Sequence, residues 1–295
     1  MGYAAMILAA VLNSVCNVVG ECYNRRVKRT NPFCYTLIVS VMVFLFYWIY
    51  GRFSFAFDWL TLGMGAAYGV CYCLYFVFML RALASGYVSL VSLIIAYSLM
   101  IPTLFGLIFY RSYPGAFFYV GLALLMIAVF LIGKKKETKS AEEGAAKKRS
   151  RGKWIAFALA AMLVNGTLSI LQTYQQTEKK GFYKSEFMMI AMAVVFVFSC
   201  VSVYIFARRD KETVAVNFRK GGWIAAVYGI ANAVLNLLVM VCVGLLPARL
   251  IFSTICGISL ALTLLLSLLF FKEKLTRRQL AGFLVGLIST IFMNI

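Results

Sequence analysis

Long apolar runs separated by short polar breaks repeat along this chain from one end to the other. Runs of about 20 residues with few charges cover 2–23, 32–50, 59–80, 87–109, 114–133, 154–175, 185–207, 221–243, 247–271 and 277–294. At a rise of ~1.5 Å per residue, each is long enough to cross a hydrocarbon layer of roughly 30 Å. Inside such a layer the backbone finds no water, so each run must satisfy its own N–H and C=O groups as a helix. The pattern predicts an all-α integral membrane protein with ten transmembrane helices.

One polar break is much longer than the rest. Residues 134–153, KKKETKSAEEGAAKKRSRGK, are dense in charge and poor in apolar side chains, which predicts a flexible linker. It divides the chain into a first five-helix repeat, 1–133, and a second, 154–295. The halves share spaced identities: Ala66, Tyr68 and Gly69 return 160 positions later as Ala226, Tyr228 and Gly229, and GLALLMIAVFLI from Gly121 parallels GFLVGLISTIFM from Gly282. Similarity at several points in one order suggests duplication. Five spans are an odd number, so the second half enters the membrane inverted relative to the first.

Composition agrees: 63% of the 295 residues are hydrophobic, 13% are charged, and the mean hydropathy is +0.90. The net charge of +19 raises the question of nucleic acid. Its placement between the apolar runs answers it, since basic loops orient membrane proteins and no nucleic-acid partner is expected. Odd-numbered loops hold 23 of the 29 Lys and Arg residues, which predicts a cell-membrane protein with the linker in the cytoplasm and both termini outside. The first run is followed, not preceded, by basic residues, so it reads as a span instead of a signal peptide.

Candidate chemistry sits on polar stripes within the spans. Asn13, Asn17 and Glu21 fall at i, i+4 and i+8 on the first helix. Asn165, Ser169, Gln172 and Gln176 form the matching stripe on the sixth. The third helix offers Tyr68, Tyr72 and Tyr75, and the eighth offers Tyr228, Asn232 and Asn236. With an offset of 160, Tyr72 corresponds to Asn232.

Amides and phenols in hydrocarbon are costly unless they meet partners, so these stripes either glue helices together or line a wet cavity for a polar substrate. Glu21 is the acid placed within a span. A carboxylate there exchanges a proton or recognises a cation, unless it pairs with Arg25 near the headgroups. Pro102 interrupts the fourth helix and frees a carbonyl one turn back, beside Tyr97, either as a gating hinge or as a static kink. GxxxG spacings at Gly65–Gly69 and Gly282–Gly286 permit close helix approach, within the chain or as a homodimer seam.

The chain's last loop and helix read FFKEKLTRRQLAGFLVGLIST, with Glu273, Gln279, Gly282 and Gly286 spaced as in EamA-type carriers. With ten spans in two halves and a length near 300, the chain resembles the drug/metabolite transporter superfamily. The corresponding loop of the first half, FYRSYPGAFFYVG, has Arg111 in place of the acidic residue. The resemblance implies a secondary carrier of small metabolites such as amino acids, nucleotide sugars, choline or toxic cations. It also implies cytoplasmic termini, opposite to the charge count.

Several classes are excluded. No histidine occurs, which removes His-based zinc sites and Ser/His or Cys/His nucleophile pairs. No P-loop is present, and the eight cysteines lack CxxC spacing. No cofactor or metal is expected, and the chain is not predicted to be an enzyme. The reading is a secondary active transporter that moves a small polar, zwitterionic or cationic metabolite by alternating access. Its partners are the substrate, the lipid bilayer and a proton or other coupling ion, and it works as a monomer or homodimer. An integral membrane enzyme or a non-transporting assembly partner is the alternative.

Overall fold

A computed structural model of the chain describes residues 2–27, 31–85, 98, 101–102, 105, 115–133, 151–246 and 248–271, with residues 281–292 described in part. Among the described residues there are helices and no strands. In chain order these are α1 (Gly2–Arg26), α2 (Pro32–Tyr50), α3 (Trp59–Ser85), α4 (Ala116–Gly133), α5 (Arg151–Glu178), α6 (Lys184–Ala207), α7 (Lys211–Val216), α8 (Gly222–Val243) and α9 (Ala248–Phe271). Among the described residues, six stretches are long and apolar enough to cross a membrane: Gly2–Gly20, Pro32–Tyr50, Trp59–Met79, Ile155–Glu178, Lys184–Ala207 and Lys211–Val243.

Helix ends follow local chemistry. Asn31 caps α2, accepting from the N–H groups of Phe33 and Cys34, and Pro32 occupies the first turn where its missing N–H costs nothing. Asp58 caps α3 by accepting from the Thr61 N–H at 2.8 Å, and Asp210 caps α7 through Thr213.

Some boundaries depart from the sequence expectation. Helix α1 continues to Arg26, where the long side chains of Arg25 and Arg26 let a helix outlast the hydrocarbon while their charges reach water, and α3 continues to Ser85. Helix α5 starts at Arg151, inside the expected linker. Between α6 and α8 the chain does not form an open loop. It forms α7 and a π-helical turn, Asn217–Gly221, that runs directly into α8.

Packing joins the two halves of the chain through crossed partners. Helix α1 packs along α8 and α9, α2 along α6 and α8, and α3 along α5 and α6. Each of the three main pairs is antiparallel. Gly2 lies beside Leu246 while Tyr23 meets Asn217, so α1 and α8 run oppositely. Thr61 meets Gln175 while Phe78 stacks on Phe157, so α3 and α5 do too. Phe33 faces Phe198 and Gly51 faces Ser185, which sets the same relation for α2 and α6.

Glycines allow the closest of these approaches. A Cβ on Gly69 would sit 2.7 Å from the Ala191 carbonyl on α6, and one on Gly229 would sit 2.7 Å from the Met42 Cβ on α2. The Gly65–Gly69 spacing therefore serves an internal seam. A Cβ on Gly286 would sit 3.5 Å from that of Ala128 on α4, so this glycine of the second GxxxG spacing also lies against a helix of the same chain. The central core holds Val39, Val43, Tyr47, Tyr68, Phe187, Met188 and Met240, all buried.

Candidate functional site

The polar stripes resolve into three kinds of contact. On α1, Asn13 donates through Nδ2 to the Ser259 hydroxyl at 2.9 Å, and Asn17 donates to the Thr263 hydroxyl at 3.3 Å. Ser14, one residue on from Asn13, donates to the Ser259 carbonyl at 3.1 Å. The α1 stripe thus engages hydroxyls of α9. Asn165 on α5 donates to the Ser98 hydroxyl at 2.7 Å, and Gly166 beside it closes on Ile101. In each arrangement an Asn reaches a Ser contributed by the other half of the chain.

The second contact is an amide cluster between α5 and α8. Asn236 Nδ2 donates to the Asn232 carbonyl at 2.8 Å and to its side-chain oxygen at 3.0 Å, and Gln172 Nε2 donates to the Asn236 carbonyl at 3.4 Å. Ser169 lies half-buried one turn away on the Gln172 side of α5. Asn232 and Asn236 are half-buried.

The third is a cluster of phenols. Tyr35 and Tyr228 stand with ring centres 5.2 Å apart, Tyr23 lies 4.6 Å from Tyr35, and Tyr72 and Tyr75 are 6.5 Å apart. Tyr35, Tyr72, Tyr75 and Tyr228 all pack against the same buried core. The structure therefore brings Tyr72, Tyr75 and Tyr228 together. Tyr68 instead packs against Phe187 at 5.3 Å and is buried.

Tyr35 was not among the residues singled out from sequence. It sits one turn into an aromatic-rich helix with no polar stripe, and only its pairing with Tyr228 marks it. The hydroxyls of Ser98, Ser259 and Thr263 were also missed, because a small hydroxyl in an apolar run resembles ordinary packing.

Pro102 is buried in a helical position. Tyr97 and the Glu21 side chain lie outside the described residues, as do Glu273 and Gln279.

Two polar clamps close the ends of the helix pairs. Where α1 meets α8, the Tyr23 hydroxyl and the Asn31 N–H both donate to Asn217 Oδ1 at 2.8 Å, and Asn217 Nδ2 donates to the Thr213 carbonyl. Where α3 meets α5, Lys179 Nζ sits 2.7 Å from Asp58 Oδ1, Gln175 donates to the Thr61 hydroxyl at 3.1 Å, and Gln176 donates to Gln175. The hydrogen bond from Lys179 is the main reason that the Asp58 carboxyl is held down to about 2, with the Thr61 N–H and hydroxyl adding to it.

An apolar recess of 360 Å³ opens between α2 and α6, walled by Val41, Phe44 and Leu45 on one side and Ala193, Phe196 and Val197 on the other. Its only polar wall residue, Ser40, donates to its own helix at the Leu37 carbonyl, so the recess offers a polar ligand nothing.

No family model and no curated protein sequence matches the chain. Of 28 solved chains that match in fold, one, described only as a crystal structure of a protein, is similar with a TM-score of 0.71 at 12% identity, over 100% of this chain and 98% of its own. At that identity the likeness concerns the fold alone.

Proposed function

We propose that this protein is a secondary active transporter of the drug/metabolite type. It is built of ten membrane helices in two inverted repeats and carries a small polar, zwitterionic or cationic metabolite by alternating access. The single observation that carries the reading is the exchange of partners between the halves. Asn13 of the first half bonds Ser259 of the second, and Asn165 of the second bonds Ser98 of the first. Such reciprocity is what duplicated units related by a two-fold axis produce.

Direction supports inversion. Helices α1 and α8 are antiparallel, and α8 lies two turns of chain beyond α5, so α1 and α5 run oppositely. The same holds for α2 with α6, as for α3 with α8. Secondary carriers place their substrate near the middle of such an arrangement. There the phenol cluster and the half-buried Asn232 and Asn236 offer hydrogen bonds and aromatic surface in place of lost hydration, worth ~1 to 3 kcal/mol for each group otherwise left unpaired. In this reading Asn13, Asn17 and Asn165 hold the frame around the pocket. Tyr35, Tyr72, Tyr75, Tyr228, Asn232 and Asn236 form its wall, Glu21 couples a proton or cation, and Pro102 is the gating hinge.

Purified protein reconstituted in liposomes tests the proposal. Saturable counterflow of an amine, amino acid or nucleotide sugar supports it, and release of a chemically altered product without uptake overturns it. The charge bias places the 134–153 linker in the cytoplasm and both termini outside. Protease cleavage of the linker in intact right-side-out vesicles would reverse that orientation.

A further inference from the structure

The chain between α2 and α3 reads YGRFSFAFDW, with large aromatics at every second position: Phe53, Phe55, Phe57 and Trp59. All four are exposed, Phe53 at 67% and Trp59 at 77%. The residues between them are tied to the rest of the fold. Ser54 donates to the Gly51 carbonyl at 2.6 Å, the Ala56 N–H donates to Glu186 at 3.3 Å, and Asp58 holds Lys179 and caps α3. Arg52 and Phe53 both adopt the left-handed backbone conformation, with φ of 53° and 59°, which L-residues enter only when the surroundings impose it. Polar anchoring of the intervening residues thus holds four exposed aromatics in one short segment.

Water is a poor neighbour for these rings, and a folded core does not cover them. Their position names a better one. The segment begins where one candidate span ends, at Tyr50, and finishes where the next begins, at Trp59. It continues the exposed apolar surface of Ile49 and Tyr50, and Phe182, 70% exposed, stands on the loop between α5 and α6 at the same end of the bundle. Arg52 and Lys180, both exposed, set positive charge beside it.

We propose that residues 53–59 form an interfacial anchor. The four rings lie in the boundary between headgroups and acyl chains, and Arg52 and Lys180 meet lipid phosphates. The ligand is the lipid surface itself. Anchoring there fixes the depth of the α2 and α3 ends and holds the connection between them in one plane. The inference rests on membrane placement and not on transport, so failure of counterflow would leave it standing.

Quenching by brominated phosphatidylcholine measures it. With Trp48, Trp154 and Trp223 each changed to Phe, Trp59 is the sole emitter in reconstituted protein. Bromine near the headgroup should quench it several-fold more than bromine near the chain terminus. A second readout keeps every tryptophan: Phe55→Cys carrying a polarity-sensitive dye should emit further to the blue in liposomes than the same dye on Cys in the unfolded chain. Strong quenching of Trp59 by aqueous acrylamide with none by bromolipid overturns the proposal. So does cross-linking of two chains through Phe55→Cys in liposomes, since a second copy would then cover the rings.

Discussion

At the scale of single residues, hydroxyl–amide pairs decide how the helices hold. Replacing Asn13 by Ala removes the bond to Ser259, and a membrane hydrogen bond of this kind is worth about 1 kcal/mol. Asn165→Ala should cost a similar amount through Ser98, and a double-mutant cycle with Ser259→Ala should recover a coupling energy only for Asn13. Tyr35 belongs to the wall of the proposed pocket. Tyr35→Phe keeps the ring against Tyr228 and removes the hydroxyl, so counterflow should show a KM raised about tenfold with thermal stability unchanged, the size of one lost hydrogen bond. Tyr35→Ala should lose stability as well.

Asp58 supplies a pH test at this scale. Its folded value of about 2 lies below the unfolded carboxyl at ~3.9, so its contribution is fully present above about pH 4 and disappears as pH falls through about 2. Asp58→Asn should therefore unfold at lower temperature than the natural protein at pH 7, and the difference should narrow toward pH 2. An equal gap at both pH values would remove the Lys179 bond as its cause.

At the scale of helices, close approach is the controlling quantity. Gly69→Ala and Gly229→Ala each force a methyl group to within 2.7 Å of the facing helix, which should cost about 1–3 kcal/mol by overpacking. Gly63→Ala meets nothing within 4 Å and should be neutral or slightly stabilising, since alanine favours the helix. Thermal unfolding in detergent reads all three. The glycine spacing was legible in the sequence, and so were the six long apolar helices, because hydrocarbon imposes one length and one secondary structure on any run that crosses it. The α7 segment was not legible, since its charges resemble a solvated loop and only the Asp210 cap and the Asn217 contacts make it helical. The stripes were seen but their partners were not. A 3.6-residue period identifies which side chains share a face, while the neighbour facing them depends on how distant helices pair, and Ser259 lies 246 positions from Asn13.

At the scale of the whole molecule, the main pairings run in the order α9, α1, α8, α2, α6, α3, α5, so a cut at the α2–α6 seam gives two bodies that do not coincide with the two halves of the sequence. One body contains α1, α2, α8 and α9; the other contains α3, α5 and α6, joined by Ser98 through its bond to Asn165. The bodies meet along α2 and α6, with Phe33 and Phe198 at one end and Gly51 and Ser185 at the other, and again where Gln172 of α5 reaches Asn236 of α8. If transport proceeds by rocking of these bodies, the two ends of the α2–α6 seam must part in alternation while contacts inside each body persist. A short bifunctional cross-link between Phe33→Cys and Phe198→Cys should then abolish counterflow, and so should one between Gly51→Cys and Ser185→Cys. The same reagent joining Phe78→Cys to Phe157→Cys stays within one body and should leave most of the rate intact. Loss of activity in the last pair with survival in the first two would place the moving boundary between α3 and α5 and exclude rocking about the α2–α6 seam.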